Sequence, residues 1–345
     1  MNIELRANLY KGEKKMTKLL EELKTKKLTL NNRLVFPPMA TEKSSGDGRL
    51  GQGILDYYDE KSKGGYISLI IIEYSFVNKQ GKASKSQLSV ADDRNNEGLK
   101  ELANIIHKNG SKVVMQINHA GSATTSEVTG QEIVGPSVVM HPRGKEMPRE
   151  LTKENIKEIV KNFKDAAKRV KDAGFDAVEI HSAHGYLLNQ FYSPITNKRT
   201  DEYGGDILNR IRIHLQVIKA VREVVGEDFP VFIRLGACDY MEGGNTLEDA
   251  KIAAAEFEKA GIDILDISGG VRGYIIPGVT GQGYFSDVTK GIKEVVKVPV
   301  ILTGGVTETQ AAEKLLSENK ADLIGVGRAI YKDSTWAKNA IENLK

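Results

Sequence analysis

Cysteine is nearly absent: Cys238 is the only one in 345 residues, which excludes an internal disulfide and any iron–sulfur cluster held by four thiolates of this chain. A reducing, cytoplasmic setting fits that count. Long apolar runs are missing as well, and no stretch nears the roughly 18 apolar residues that a membrane-crossing helix needs. The charge excess is small, 49 basic against 46 acidic side chains for a net of +3, so the chain offers no electrostatic footprint for nucleic acid. The opening residues, MNIELRANLYKGEKK, lack the apolar core of a secretory signal, and Met16 is an alternative start. No GxGxxG follows a strand-like run and no GxxxxGK[ST] occurs, so a dinucleotide or nucleoside-triphosphate cradle of familiar type is absent. No internal repeat or low-complexity tract is visible.

What is present is a rhythm. Eight short β-branched runs, each bounded by Gly, Pro, Asn or Asp, lie at 33–37, 66–72, 112–116, 177–180, 230–234, 262–267, 298–303 and 322–326. They read as nearly continuous apolar segments, LIII at 69–72 for example, which is how strands buried on both faces of a parallel sheet look. Helical periods separate them. Ile156, Ile159, Val160, Phe163, Ala167 and Val170 share one face, with Thr152 as N-cap and Gly174 as the stop. Thr307-Glu-Thr-Gln310 reads as a capping box before the last unit. Eight strand–helix units predict a (β/α)₈ barrel, where a doubly wound sheet would show five or six strands and a glycine-rich first turn. The expected organisation is an N-terminal extension over 1–27 and one barrel domain over 28–345. Two connections, 120–151 and 181–209, are too long for simple crossovers and are expected to be functional. The segment EIVGPSVVMHPRG predicts a small hairpin around Gly135-Pro136, capping the barrel mouth.

Barrels of this kind work at the C-terminal ends of their strands. Those ends read Pro37-Pro38-Met39-Ala40, Glu73-Tyr74-Ser75, Gln116 with Asn118 and His119, His181 with His184 and Tyr186, Arg234-Leu-Gly, Ser268-Gly-Gly, Thr303-Gly304-Gly305, and Gly325-Val-Gly327-Arg328. Glycines beside an arginine at the last two strands supply close backbone approach, free N–H groups and a cationic fork, the needs of a phosphate site. The same glycines also serve a plain tight turn. His181 and His184, three apart, point to one of three roles: two ligands of a metal-dependent hydrolase, a structural pair, or donors clamping a substrate oxygen. The metal reading is short of a third ligand, because His119 and Glu179 form neither HxH nor HExxH with the pair. Arg234 needs an anion or a polarised ring if buried; a salt bridge to Glu179 or Asp266 is the alternative. His107 and His214 fall in helical periods and read as surface or packing residues.

These residues together resemble the old yellow enzyme group of FMN-dependent ene-reductases. NRLVFPPM, QINHAG, EIHSAHGYLLNQFYSPITNKRTDEYGGDILNR, RLG, TGG and GVGR occur in that family's order and at its strand ends, from Leu28 to Trp336. The resemblance implies FMN across the barrel mouth, its phosphate on Gly304, Gly305, Gly327 and Arg328. Arg234 would lie near the pyrimidine side, Gln116 would bond the ring, and Pro37, Pro38, Met39, Ala40 and Tyr74 would line the other flank. His181 and His184 would bind the carbonyl or nitro oxygen of an activated alkene, and Tyr186 would supply a proton. Hydride would come from NAD(P)H in one half-reaction and reach the β-carbon of the alkene in the next, or another acceptor would take the electrons. The His/His pair is similar to one bacterial branch. Three departures stand out: Ala40 where Thr or Cys is usual, Glu42 where one branch has a substrate-contacting Tyr, and no arginine after Arg328. Dienoyl-CoA reductases look similar in the barrel, but with one cysteine and an end at Lys345 their full iron–sulfur architecture is not expected. A homo-oligomer is compatible with the resemblance.

Overall fold

The apolar runs fold as expected into strands, and the computed structural model, which describes residues 17–345, closes them into a barrel. In chain order they are β1 (Leu34–Phe36), β2 (Leu69–Phe76), β3 (Lys112–Asn118), β4 (Ala177–Ser182), β5 (Val231–Cys238), β6 (Ile264–Gly269), β7 (Val300–Thr303) and β8 (Leu323–Gly325). Every neighbouring pair is parallel, and Ile324 opposite Leu34 joins the last strand to the first. β2 starts three residues later than the expected run and continues past it through an irregularity between Ile72 and Ser75, which brings Tyr74 to the mouth.

Side-chain parity sorts the interior into layers. At the bottom Val35, Leu69, Ile71, Val114, Ala177, Phe232, Ile264, Ile301 and Leu323 fill the barrel with one buried apolar cluster. Two residues further along the strands the layer turns polar: Gln116, Glu179, Arg234, Asp266 and Thr303. Two more residues on, β3, β4 and β6 contribute Asn118, His181 and Ser268. The period of two that defines a strand therefore carries the chain from oil to charge to site within about 13 Å of rise.

Outside the barrel, helices bury their apolar stripes against the other strand faces. In Lys153–Asp172, Thr152 and Asn155 form a reciprocal capping box, and Gly174 leaves the helix with φ +83°. The sequence-derived box at Thr307–Gln310 is not formed. Helix Thr309–Ser317 begins after Glu308 without a side-chain cap, because Gln282 Oε1 already accepts from the N–H groups of Thr307 (2.8 Å) and Glu308 (3.1 Å).

Two further expectations change. The mouth is capped by the loop after β3, but Val134–Gly135 pairs in parallel with Arg149–Glu150, so no hairpin folds around Gly135-Pro136. Pro136 has no N–H to give to a hairpin ladder, and its carbonyl accepts from Arg199 Nη1 at 3.0 Å instead. The described part of the 1–27 segment is joined to the barrel: Leu19 is buried in the main core, and an antiparallel ladder of Leu23–Lys24 with Thr29–Leu30 closes the floor. The alternative start at Met16 lies outside the described residues. Among the described residues no helix is long and apolar enough to cross a membrane.

Candidate active site

At the C-terminal ends of the strands lies a cavity of about 370 Å³. It is lined by every residue to which the family resemblance gave a part in binding or chemistry: Pro37, Pro38, Met39, Ala40, Tyr74, Gln116, His181, His184, Tyr186, Arg234, Gly304, Gly305, Gly327 and Arg328. Arg143, Ser268, Tyr274, Tyr284, Thr303, Val306, Gly325 and Tyr331 complete the wall. Ser268, Thr303 and Gly325 are strand-end residues whose position was readable. Arg143, Tyr274 and Tyr284 come from the loops after β3 and β6, and nothing in their local pattern announces where those loops return. Glu42, by contrast, is exposed and outside the lining, on a left-handed backbone at φ +53°.

The cavity floor is the polar layer. Gln116 Nε2 donates to Glu179 Oε1 (2.8 Å), Thr303 Oγ1 donates to Asp266 Oδ1 (3.1 Å), and Arg234 Nε stands 3.1 Å from Asp266 Oδ2. Arg234 thus makes the Asp266 pair considered as its alternative, and it also faces the cavity. That 3.1 Å contact lacks hydrogen-bond alignment, and Nε has no hydrogen-bond partner among the described residues. Burial drives both carboxyls up, with Asp266 pushing Glu179 further, while Arg234 pulls each back toward the charged form.

The wall formed by the end of β4 and the loop after it is aromatic and neutral. The His181 ring stands edge-on to His184 and to Tyr186, with centroids 5.1 Å away in each case, and Tyr186 stacks on Tyr74 at 5.4 Å. Burial, and then the nearby Arg234, holds both imidazoles well below their ordinary range, so each is neutral with a single N–H. Burial and then the Tyr74 hydroxyl push the Tyr186 phenol well up, keeping its proton. His184 is placed by strain and by contacts. Its φ of +60° is unusual for a side-chain-bearing residue, its Nε2 meets Ser268 Oγ at 2.7 Å, and Arg143 donates to its carbonyl oxygen.

Of the other four histidines, His141 is buried against Gly185 beside the site, its Nδ1 accepting from Arg143 N–H at 3.1 Å, and three lie elsewhere. His119 is buried with Nδ1 accepting from Gly121 N–H at 3.0 Å, His214 is buried against Ser182 Oγ at 2.8 Å, and half-exposed His107 pairs with Asp176 at 2.6 Å. Among the described residues no three His, Cys, Asp or Glu side chains are placed to share a metal ion. The hydrolase alternative therefore has no third ligand.

The opposite end of the cavity suits an anion. Gly304 and Gly305 pass so close to Tyr284 that a Cβ would meet its ring at 2.9 and 2.6 Å, and at Gly327 a Cβ would meet the Met39 sulfur at 3.0 Å. Arg328 beside them is exposed and makes no ion pair among the described residues. A glycine-lined end with an exposed arginine, a guanidinium on the floor and a slot walled by Pro37, Met39 and Tyr74 together fit a planar cofactor with a phosphate tail. That is the site of a barrel flavoprotein, and FMN matches its residues.

Comparison with known proteins agrees. The family described as NADH:flavin oxidoreductase / NADH oxidase matches residues 18–345. The chain belongs to that family, the family of the old yellow enzymes, whose cofactor is FMN and whose reductant is NAD(P)H. It is 42% identical over 330 residues to an NADH oxidase of Thermoanaerobacter brockii, covering 94% of this chain and 50% of that protein. An NADPH dehydrogenase of Clostridium acetobutylicum is 38% identical over 318 residues, 92% of each chain. The chain thus spans about half the length of the first relative and nearly all of the second. The solved structure of morphinone reductase superposes with a TM-score of 0.84 at 27% identity, over 96% of this chain and 91% of that one.

Proposed function

We propose that this chain reduces the activated C=C bond of α,β-unsaturated carbonyl or nitro compounds, using FMN and NAD(P)H in a ping-pong cycle. The observation that carries the reading is the cluster of two neutral imidazoles and a protonated phenol on one wall of the cavity, opposite the Pro37–Ala40 flank. Bound FMN supplies the two-electron step that turns NAD(P)H oxidation into hydride delivery. His181 and His184 hold the carbonyl or nitro oxygen and donate to it where negative charge builds up as hydride arrives at the β-carbon. Tyr186 gives its proton to the α-carbon, and Tyr74 orients that phenol by stacking on it. Neutral imidazoles suit this role because each donates a hydrogen bond without giving up its proton. Gln116 and Arg234 hold the flavin ring; Gly304, Gly305, Gly327 and Arg328 hold its phosphate. One cavity serves reductant and acceptor in turn, consistent with the lack of a GxGxxG directly after a strand, so the nicotinamide must leave before the alkene enters. Lone, buried Cys238 supports a cytoplasmic setting.

The test is an anaerobic visible spectrum of the purified protein. The flavin band is expected to bleach on adding NADH or NADPH and to return with 2-cyclohexenone. A band that bleaches and returns only with oxygen identifies a flavin reductase with another acceptor, a reading favoured by the likeness to an NADH oxidase. A colourless protein that cannot be loaded with FMN refutes the cofactor assignment.

A further inference from the structure

Asn118, at the top of β3, is fully buried, and neither its amide nitrogen nor its amide oxygen has a hydrogen-bond partner among the described residues. Leaving both ends of a buried amide unpaired is costly, so a partner must be within reach. Strand register shows where. On one side Phe76 lies directly opposite Asn118 and offers nothing polar. On the other, β3 and β4 are paired through Gln116 with Glu179 and Ile117 with Ile180, so the next position places Asn118 beside His181. Gln116 and Glu179 bond to each other across the barrel interior, so residues two further on, Asn118 and His181, point the same way. His181 carries the matching vacancy: its Nδ1 is buried with no partner, while the ring lines the cavity.

A neutral imidazole has one N–H, and an oxygen in the cavity can be held only if that proton is on the nitrogen facing it. We propose that Asn118 is the positioning residue for His181: its amide N–H, directly or through one buried water, donates to Nδ1 and thereby fixes the ring proton on Nε2, the nitrogen presented to the cavity. The inference rests on the reading of His181 as a ligand for the acceptor's oxygen. His184 has a polar neighbour of its own, Ser268, at the other ring nitrogen, Nε2. The titratable groups around His181 are Arg234 on β5 and, from its own loop, His184 and Tyr186. No carboxylate among them competes for Nδ1.

The experiment uses the FMN-loaded protein labelled with ¹⁵N-histidine, with the His181 signals assigned by loss in His181→Asn. Two-bond proton–nitrogen correlations should show His181 protonated at Nε2 in the parent and a mixture of tautomers in Asn118→Leu. The dissociation constant of a phenolate probe, p-hydroxybenzaldehyde, should rise roughly tenfold in that variant, about one hydrogen bond's worth, with the flavin spectrum and content unchanged. Asn118→Asp puts an acceptor behind Nδ1, so its phenolate binding should gain a second pH-dependent limb, beyond the one set by ionisation of the probe's own phenol, which the parent shares. The proposal is overturned if the parent carries the proton on Nδ1, or if Asn118→Leu leaves both tautomer and phenolate affinity unaltered. A parent with Nε2–H that binds no phenolate supports the pairing and refutes instead the reading of the cavity as an oxygen-holding site.

Discussion

Replacing Arg234 by methionine keeps an unbranched side chain out to the position of Nε and removes its charge from the middle of the barrel. Asp266, 3.1 Å away, and Glu179 are both fully buried, and Arg234 is the cation that offsets them. Breaking a buried pair by deleting one partner costs about 3–5 kcal/mol. With roughly 2.1 cal/mol/K of unfolding entropy per residue, that corresponds to a fall in Tm of about 4–7 °C for a chain of this size. The pH dependence discriminates the cause. Both carboxyls already titrate above their ordinary range, through burial first and, for Glu179, the facing Asp266; without Arg234 they rise further. A carboxyl raised in the folded state loses stability for the protein as pH climbs past its unfolded value, near 4. The deficit of the variant should therefore be largest at pH 8 and shrink toward pH 4–5. Urea unfolding of flavin-stripped parent and variant at several pH values measures it without contribution from bound FMN. An equal deficit at pH 5 and pH 8 would show that Arg234 acts by packing, and the electrostatic account of the polar layer would be wrong.

Tyr186→Phe should slow reoxidation of the reduced flavin by an enone by about 10²-fold or more while leaving its reduction by NAD(P)H unchanged, as stopped-flow absorbance would show. If reoxidation is also unchanged, the proton comes from water. Arg328→Gln should weaken FMN binding by about ten- to hundredfold and flatten its dependence on salt, readable by fluorescence titration of stripped protein. Burial raises Glu73, whose carboxylate accepts from Thr41 N–H behind the Pro37–Ala40 flank, from 4.5 to about 7. Its ionisation should cost about 3 kcal/mol of stability as pH rises from 4.5 through 7. Glu73→Gln keeps an acceptor for Thr41 and should lose that slope in urea titrations, matching the parent at pH 4.5 and exceeding it at pH 8.

All eight strands were legible because a strand buried on both faces has no polar side to blur its apolar run. The site was legible for a related reason: polar residues that end such runs, from Gln116 to Arg328, have few places to be except the barrel mouth. Where the reading failed, a distant partner displaced the local one. Thr307 and Gln310 have the spacing of a capping box, but Gln282 reaches in from another loop, takes the Thr307 N–H that Gln310 would have used and donates to the Thr307 hydroxyl. The pieces around Gly135-Pro136 look like a hairpin, but Arg199 and the strand at Arg149–Glu150 claim them.

Loop contributions to the wall were invisible for the same reason. Arg143 precedes the site histidine whose carbonyl it holds by 41 residues, and Tyr284, which lies far from both in sequence, bonds the carbonyl of Tyr274 at 2.7 Å. Within the strands, though, the parity that makes the barrel also orders its chemistry. Val114, Gln116 and Asn118 on β3, and Ala177, Glu179 and His181 on β4, step from apolar floor to charge layer to site with the same spacing. A one-residue slip of either strand would turn all three of its inward residues out to the helices, exposing carboxylate and imidazole to an apolar shell. The register that fixes the barrel is thus the same constraint that puts His181 beside Asn118 and over Arg234. Substitutions that loosen β3 against β4 should for that reason impair oxygen binding in the cavity before they unfold the barrel.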